Sequence, residues 1–369
     1  MQSIINSILK EERDKNEPEQ YPKITNLLNH HTDNEIESYL VKSIPKIRVI
    51  GIGGAGNNAI NRLNQVGIIG AETFAVNTDA QDLVYTDADE KLLIGKRLTG
   101  GLGAGNRPQI GEAAALESMD EISKMVNADM VFITCGQGGG TGTGAAHVIA
   151  EQARNLGALT ISICSLPFNV EGPKKRQNAS WGLERLTKAS DTIITIPNEK
   201  LLEIAPDLSI SEAFRIVDEI LIQGVKGMAE VITKPGLINL DFADVKTILK
   251  SSGESLIGLG EADTVEEATR LALSNPLLDL DIQAARGALI NICGTGSSLK
   301  LQETENIIRM VTDELNSESE IIWGTLIDPN MEKKFRVTLI VSGISSNIKD
   351  CSTPSFQAPR FPDFGLRQL

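Results

Sequence analysis

Gly138-Gly139-Gly140-Thr141-Gly142-Thr143-Gly144 is the stretch on which the fold turns. Before it, the uncharged run Met130-Val131-Phe132-Ile133-Thr134-Cys135 predicts a buried strand; after it, Ala145-Ala146-His147-Val148-Ile149-Ala150-Glu151 predicts a helix. A strand, a glycine loop and a helix in that order turn backbone N–H groups toward an anion. Glycine lets the backbone come close, and two threonines add hydroxyl donors without charge. No lysine follows, so the lysine-bearing phosphate loop is excluded, and phosphates would be held by backbone dipoles and hydroxyls. A flexible linker would not lie between an apolar strand and an alanine-rich helix.

Two more glycine-rich stretches lie upstream. Lys46-Ile47-Arg48-Val49-Ile50 predicts a strand, and Gly51-Ile52-Gly53-Gly54-Ala55-Gly56-Asn57-Asn58 follows it. Read alone, Gly51-x-Gly53-x-x-Gly56 matches the dinucleotide fingerprint, a weak motif by itself, and Asn57-Asn58 is less typical of it. The third stretch is Leu98-Thr99-Gly100-Gly101-Leu102-Gly103-Ala104-Gly105-Asn106. Three such loops suggest one polyphosphate wrapped from several sides.

The 369 residues suffice for two domains, and 41% hydrophobic residues suit a globular chain. A formal net charge of −14 argues against nucleic acid and against direct binding to anionic membranes; it favours Mg²⁺ and cationic partners. The cysteines (Cys135, Cys164, Cys293, Cys351) and histidines (His30, His31, His147) form no ligand set, so no metal held by side chains alone and no disulfide framework is expected. No apolar run reaches the length of a membrane span and no leader is present, which predicts a cytoplasmic protein without direct membrane insertion.

Along the chain, residues 1–45 read as a charged, partly helical extension, with Ile4, Ile5, Ile8 and Leu9 on one helical face. Residues 46–208 alternate strands (Lys46–Ile50, Phe74–Val76, Met130–Thr134, Leu159–Cys164, Thr192–Ile196) with helices, which predicts a doubly wound parallel sheet of the α/β class. Residues 209–232 read as one long central helix with an apolar stripe through Ile210, Ala213, Phe214, Val217, Ile220, Leu221, Val225 and Met228, ended by Lys234-Pro235-Gly236. Residues 233–344 predict a second, smaller α/β domain with a mixed sheet. Residues 345–369 read as a disordered tail whose end, Phe361–Leu369, is aromatic and apolar.

The glycine loops, together with Val76-Asn77-Thr78-Asp79, Pro167-Phe168-Asn169-Val170-Glu171-Gly172, Ile196-Pro197-Asn198 and Asn239-Leu240-Asp241-Phe242-Ala243-Asp244-Val245, resemble FtsZ, the tubulin-like GTPases of prokaryotic cell division, and most of all their archaeal members. The resemblance runs from about Ile47 to Ile344. It implies a tubulin/FtsZ-like fold with GTP or GDP, and Mg²⁺, across the strand ends. Gly53, Gly54, Ala55 and Gly56, with Asn57 and Asn58, would line the diphosphate and the base side. Gly142, Thr143 and Gly144, with Gly140 and Thr141 before them, would hold the α- and β-phosphates, and Ala104 and Gly105 would reach the γ-phosphate. Glu171 would contact the ribose, and Asn198 would belong to the same site. Where the family usually has Arg four residues after that Glu, this chain has Lys175, with Arg176 one place on; either could serve.

Phe214 and Asp218 are i and i+4 on the central helix and share a face. A ring to stack on the base and a carboxylate to accept from guanine N1–H and the 2-amino group suit guanine over adenine. Asp241 is a natural N-cap and Asp244 a first-turn acid, so capping alone would explain both. The resemblance implies more: with Asn239 they would form a turn that enters the next subunit's γ-phosphate pocket and positions the attacking water. The implied protein is a head-to-tail polymerising GTPase of the division ring at mid-cell, with its tail docking tethering or regulatory division proteins. A non-polymerising nucleotide-binding regulator has little need of the Asn239–Asp244 turn, and an NAD-dependent oxidoreductase leaves Gly138–Gly144 unexplained.

Overall fold

A computed structural model describes residues 45–200, 210–234, 238, 240–274, 282, 285–295, 299–317, 319–328, 331 and 333–344. The expected N-terminal extension, the tail with its Phe361–Leu369 end, Pro235-Gly236 and Asn239 lie outside them.

The first half alternates strand and helix as expected. In chain order it comprises β1 (Ile47–Ile52), α1 (Gly53–Val66), β2 (Ala71–Asn77), α2 (Ala80–Tyr85), β3 (Glu90–Leu93), α3 (Lys96–Thr99), α4 (Pro108–Glu117), α5 (Met119–Met125), β4 (Met130–Gly136), α6 (Thr141–Asn155), β5 (Leu159–Leu166), α7 (Pro173–Ala189) and β6 (Thr192–Pro197). The helix α8 (Ile210–Thr233) then leads to α9 (Phe242–Leu249), β7 (Gly253–Ala262), α10 (Val265–Leu273), β8 (Gly287–Gly294), α11 (Leu301–Glu314), β9 (Glu320–Ile327) and β10 (Phe335–Ser342).

The ten strands form one sheet in the order β3-β2-β1-β4-β5-β6-β7-β10-β8-β9. From β3 to β6 all pairs are parallel. Strands β1 and β4 are buried on both faces, which is why they read as largely apolar runs; the exception in β1, Arg48, is buried with its guanidinium bonded to Glu72 and the Lys124 and Met125 carbonyls. β10 runs antiparallel to β7 and β8, giving the mixed part. The two parts are joined by a short parallel pairing, Thr192–Ile194 against Gly253–Ser255, so the second mixed sheet extends the first.

Helix α8 packs one face on this sheet. Val217, Leu221, Val225 and Met228 are all buried there beside Ile163 and Ile257. A Cβ on Gly224 would come within 2.9 Å of the Ile257 Cδ1 atom, so glycine admits the sheet at that turn. The stripe fails at one expected position: Phe214 is 40% exposed, because it faces a cleft instead of the core. Strand β3 and the short helices α2, α3 and α5 have no counterpart among the expected elements. Each is only four to seven residues long, too short for periodicity to register.

Candidate nucleotide site

The strand order reverses between β1 and β4, and the loops leaving their carboxyl ends diverge there. In doubly wound sheets this is where ligands bind. The two loops are the first and principal glycine runs, and they frame a cleft of about 580 Å³.

The fold of each loop follows from its glycines. Gly53 has φ +70°, and a Cβ on it would lie 2.8 Å from the Gly142 backbone nitrogen, so the two loops touch through it. Gly138, at φ +109°, turns the chain out of β4 against Lys175 and Pro167. The Thr143 hydroxyl accepts from the Gly138 N–H at 2.8 Å and closes the run on itself. Gly144 N–H donates to the Gly140 carbonyl as the first helical bond of α6. The N–H groups before it have no intrahelical acceptor and carry the positive end of the helix dipole. This is an anion cradle without a lysine.

The cleft brings together Gly53, Gly54, Ala55, Ala104, Gly105, Gly140, Thr141, Gly142, Glu171, Lys175, Asn198 and Phe214, all among the candidate residues. The other nucleotide-binding candidates do not line it. Asn57 is buried, its Nδ2 donating to Asp82 Oδ2 at 2.8 Å. Gly56 packs on the Thr134 carbonyl, and Gly144 packs on α4, where a Cβ would fall 2.0 Å from the Pro108 carbonyl oxygen. Asn58 is exposed on α1, and Thr143 is buried within the loop. Asp218 lies one turn beyond Phe214, half-buried. Desolvation raises its carboxyl from the usual value to about 6.

Lys175, not Arg176, is the cation of the cleft. Its Nζ lies 2.8 Å from Glu171 Oε2, while Arg176 donates to Asn169 Oδ1 at 2.9 Å. The other oxygen of Glu171 accepts from the Phe168 N–H at 2.8 Å, which fixes the carboxylate at the rim. Phe168 in turn packs edge-on against Phe214, with ring centroids 5.4 Å apart. Asn198 is buried, and its Oδ1 has no hydrogen-bond partner, an acceptor waiting at the cleft wall.

Several contributors were not among the candidates, and four polar ones matter most. Asn77, Asp79 and Asp82 line the cleft from the β2–α2 turn. Asp79 caps α2, accepting from the N–H groups of Gln81 and Asp82, which is a legible N-cap signal in Asp79-Ala80-Gln81. On α7, Asn178 Nδ2 donates to the carbonyls of Asn106 (3.0 Å) and Gly138 (3.1 Å), tying the third glycine loop to the principal one. A buried Asn inside an amphipathic helix was its only sequence signal.

Asp241 and Asp244 lie elsewhere. Asp241 caps α9, accepting from the Asp244 N–H at 2.9 Å, and both are exposed. Phe214 is at the cleft end of α8. At the other end Thr233 donates to the Ile69 carbonyl, just before the amino end of β2. The nineteen residue steps from Phe214 to Thr233 span roughly 28 Å of helix. Asp241 and Asp244 thus follow the cleft-facing Phe214 by the whole length of α8, and neither lines the cleft.

Fold and cleft define a doubly wound α/β protein with an anion cradle at a helix N-terminus. Residues 46–206 match the family described as Tubulin/FtsZ family, GTPase domain, and residues 253–345 match FtsZ family, C-terminal domain. The chain is 51% identical over 347 residues to the cell division protein FtsZ of Methanothermobacter thermautotrophicus, covering 93% of this chain and 90% of that one. It is 54% identical over 318 residues to FtsZ 1 of Pyrococcus horikoshii, covering 85% of each. An FtsZ dimer from M. jannaschii superposes with TM-score 0.81 at 51% identity, over 86% of this chain and 93% of that one. CetZ2 from Haloferax volcanii, in a GTPγS-bound protofilament, shares the fold at TM-score 0.67 and 22% identity, over 81% and 93%. The chain belongs to the tubulin/FtsZ family and carries its GTPase domain.

Proposed function

We propose that this chain is a polymerising GTPase of the cytoplasmic cell-division ring at mid-cell, whose active site is completed by the next subunit of a head-to-tail filament. The observation that carries this reading is the separation of the acidic turn at Asp241 and Asp244 from the cleft by the length of α8. A carboxylate that far away cannot polarise water at its own nucleotide, whereas a heterologous contact delivers it to a neighbour's. The solved relative described as a dimer and the more distant one described as a protofilament agree with such a contact.

In this reading the N–H groups of Thr141 to Thr143 hold the α- and β-phosphates, Gly144, also expected there, has its N–H taken by the Gly140 carbonyl, and Ala104 and Gly105 meet the γ-phosphate. Lys175 leaves Glu171 for phosphate, freeing Glu171 for the ribose. Phe214 stacks on the base while Asp218 and Asn198 face its polar edge. Asn239, Asp241 and Asp244 orient the attacking water from the partner subunit.

A divalent ion fits the donor set. The Asp79 carboxylate lines a cleft whose one lysine is already paired with Glu171, while Asp82 Oδ2 is taken by Asn57 and Asn77. Among the described residues no group of three acidic, His or Cys side chains could hold a metal alone. That donor set suits Mg²⁺ shared between phosphate oxygens and a carboxylate such as Asp79. Bound there, the ion would neutralise phosphate charge during transfer.

Among the described residues no helix is long and apolar enough to cross a membrane. Recruitment to the membrane is assigned to tethering partners that dock the Phe361–Leu369 end.

Mixing two crippled chains tests the shared site. Asp241→Ala keeps its cleft, and Lys175→Glu keeps its acidic turn while setting a negative charge at the half-exposed rim. Each alone is expected to lose GTP turnover, by about a hundredfold or more for Asp241→Ala. An equimolar mixture is expected to regain turnover well above either. A mixture no more active than the mean of its parts contradicts the proposal.

A further inference from the structure

A carboxylate and two carboxamides meet beneath the cleft. Asp82 Oδ2 accepts from Asn57 Nδ2 at 2.8 Å and from Asn77 Nδ2 at 2.6 Å. The three residues come from separate elements: the start of α1, the end of β2 and the first turn of α2. Asn57 and Asn77 are buried, so an amide deprived of its acceptor there is costly to leave unpaired.

The bond to Asp82 orients Asn77. With Nδ2 turned to the carboxylate, its Oδ1 accepts from the N–H groups of Thr78 at 2.8 Å and Asp79 at 3.3 Å, which fixes the turn. That turn carries the third glycine loop. The Thr78 carbonyl accepts from the Gly103 N–H at 3.1 Å and from the Thr99 hydroxyl at 3.3 Å. The Gly101 carbonyl accepts from the Ala80 N–H at 3.0 Å, and Asp79 pairs with Leu102 as an antiparallel bridge. The Thr78 hydroxyl also lies 2.7 Å from that of Thr141 in the principal loop. One side chain thus anchors a continuous path from the first glycine loop's helix to both other loops.

We infer that Asp82 is a positioning residue for the terminal phosphate: by orienting Asn77 it holds the 99–105 loop where that loop meets the γ-phosphate, and so sets the preference for GTP over GDP. The inference rests on the assignment of Ala104 and Gly105 to the γ-phosphate. Asp82 acts through Asn77 and not on the nucleotide. A carboxylate suits the task because one oxygen takes both amide donors and its charge strengthens both bonds. Asparagine would still offer an acceptor oxygen of the same reach; alanine offers none.

The test is the affinity of the full chain for GTP and for GDP in Mg²⁺, by calorimetry, for wild type, Asp82→Asn, Asp82→Ala and Asn57→Ala, with a melting curve of each apo chain. Asp82→Ala is expected to lower the GTP-to-GDP affinity ratio about tenfold, and Asp82→Asn to keep it within about threefold of wild type. An unchanged ratio in Asp82→Ala, or equal losses for both nucleotides alongside a lower melting temperature, overturns the inference. So does an Asp82→Asn chain as impaired as Asp82→Ala, since the charge and not the orientation would then be at work. If Asp82→Ala does not fold, Asn77→Ala measured in the same way carries the test, with a ratio lowered about threefold or more in support and an unchanged ratio against, and Asn57→Ala, which leaves the Asp82–Asn77 bond in place, is the control. A wild-type chain that binds neither nucleotide would overturn the GTP reading itself, a result distinct from all of these.

Discussion

Asp218 shows how a single environment ties chemistry to pH. Its carboxyl is raised to about 6 because the side chain is half-removed from water with no cation to compensate. A folded-state value above the unfolded one means that the apo fold gains stability from this group below about pH 4 and loses it as pH rises through 6. Guanine recognition has the opposite sign, since only the carboxylate accepts from N1–H and the 2-amino group. GTP affinity is therefore expected to fall roughly fourfold from pH 7.5 to 5.5, as the competent fraction shrinks. In Asp218→Asn that dependence is expected to flatten, which titration calorimetry at the two pH values checks. Asp218 was legible in the sequence because it breaks an apolar stripe one turn after Phe214. Asp79 and Asp82 were not, since two acids after a strand read as an ordinary helix cap until the fold sets them against the phosphate loops.

At the scale of elements, the acidic turn and the close helix crossing lend themselves to separation of roles. Asp241 both caps α9 and, in the proposed mechanism, orients water. Asparagine caps as well as aspartate, so Asp241→Asn is expected to keep the melting temperature yet lose most turnover. Asp241→Ala is expected to lose about 1 kcal/mol of stability besides. Equal turnover in wild type and Asp241→Asn would reduce the turn to a cap. Gly144 sits where α6 crosses α4, and its missing Cβ is what admits the Pro108 carbonyl. Gly144→Ala must push the helices apart and is expected to cost more than about 2 kcal/mol in urea denaturation. The glycine loops, the parallel strands and α8 were legible because each has a long, unambiguous pattern. The β3 edge strand and the short helices were not, because four to seven residues carry too little periodicity and are set by what they pack against.

On the scale of the whole molecule, one continuous sheet supports two functional ends. The cleft lies at the carboxyl ends of β1 and β4, and α8 leads the chain away from it before the acidic turn, which the proposed function sets at the opposite end. The sequence could place these features on separate segments, but not at opposite ends, since strand order and helix direction emerge only when the chain is folded. If the proposed shared site holds, a monomer would catalyse poorly and a filament well.

The most direct test is GTP turnover per subunit measured against protein concentration in Mg²⁺, with the same samples sedimented. The shared-site account predicts turnover near zero at low concentration, a rise above a threshold, and GTP-dependent pellets appearing at that threshold. Turnover per subunit that is constant across concentration, without pellets, would contradict it and return the chemistry to a single chain.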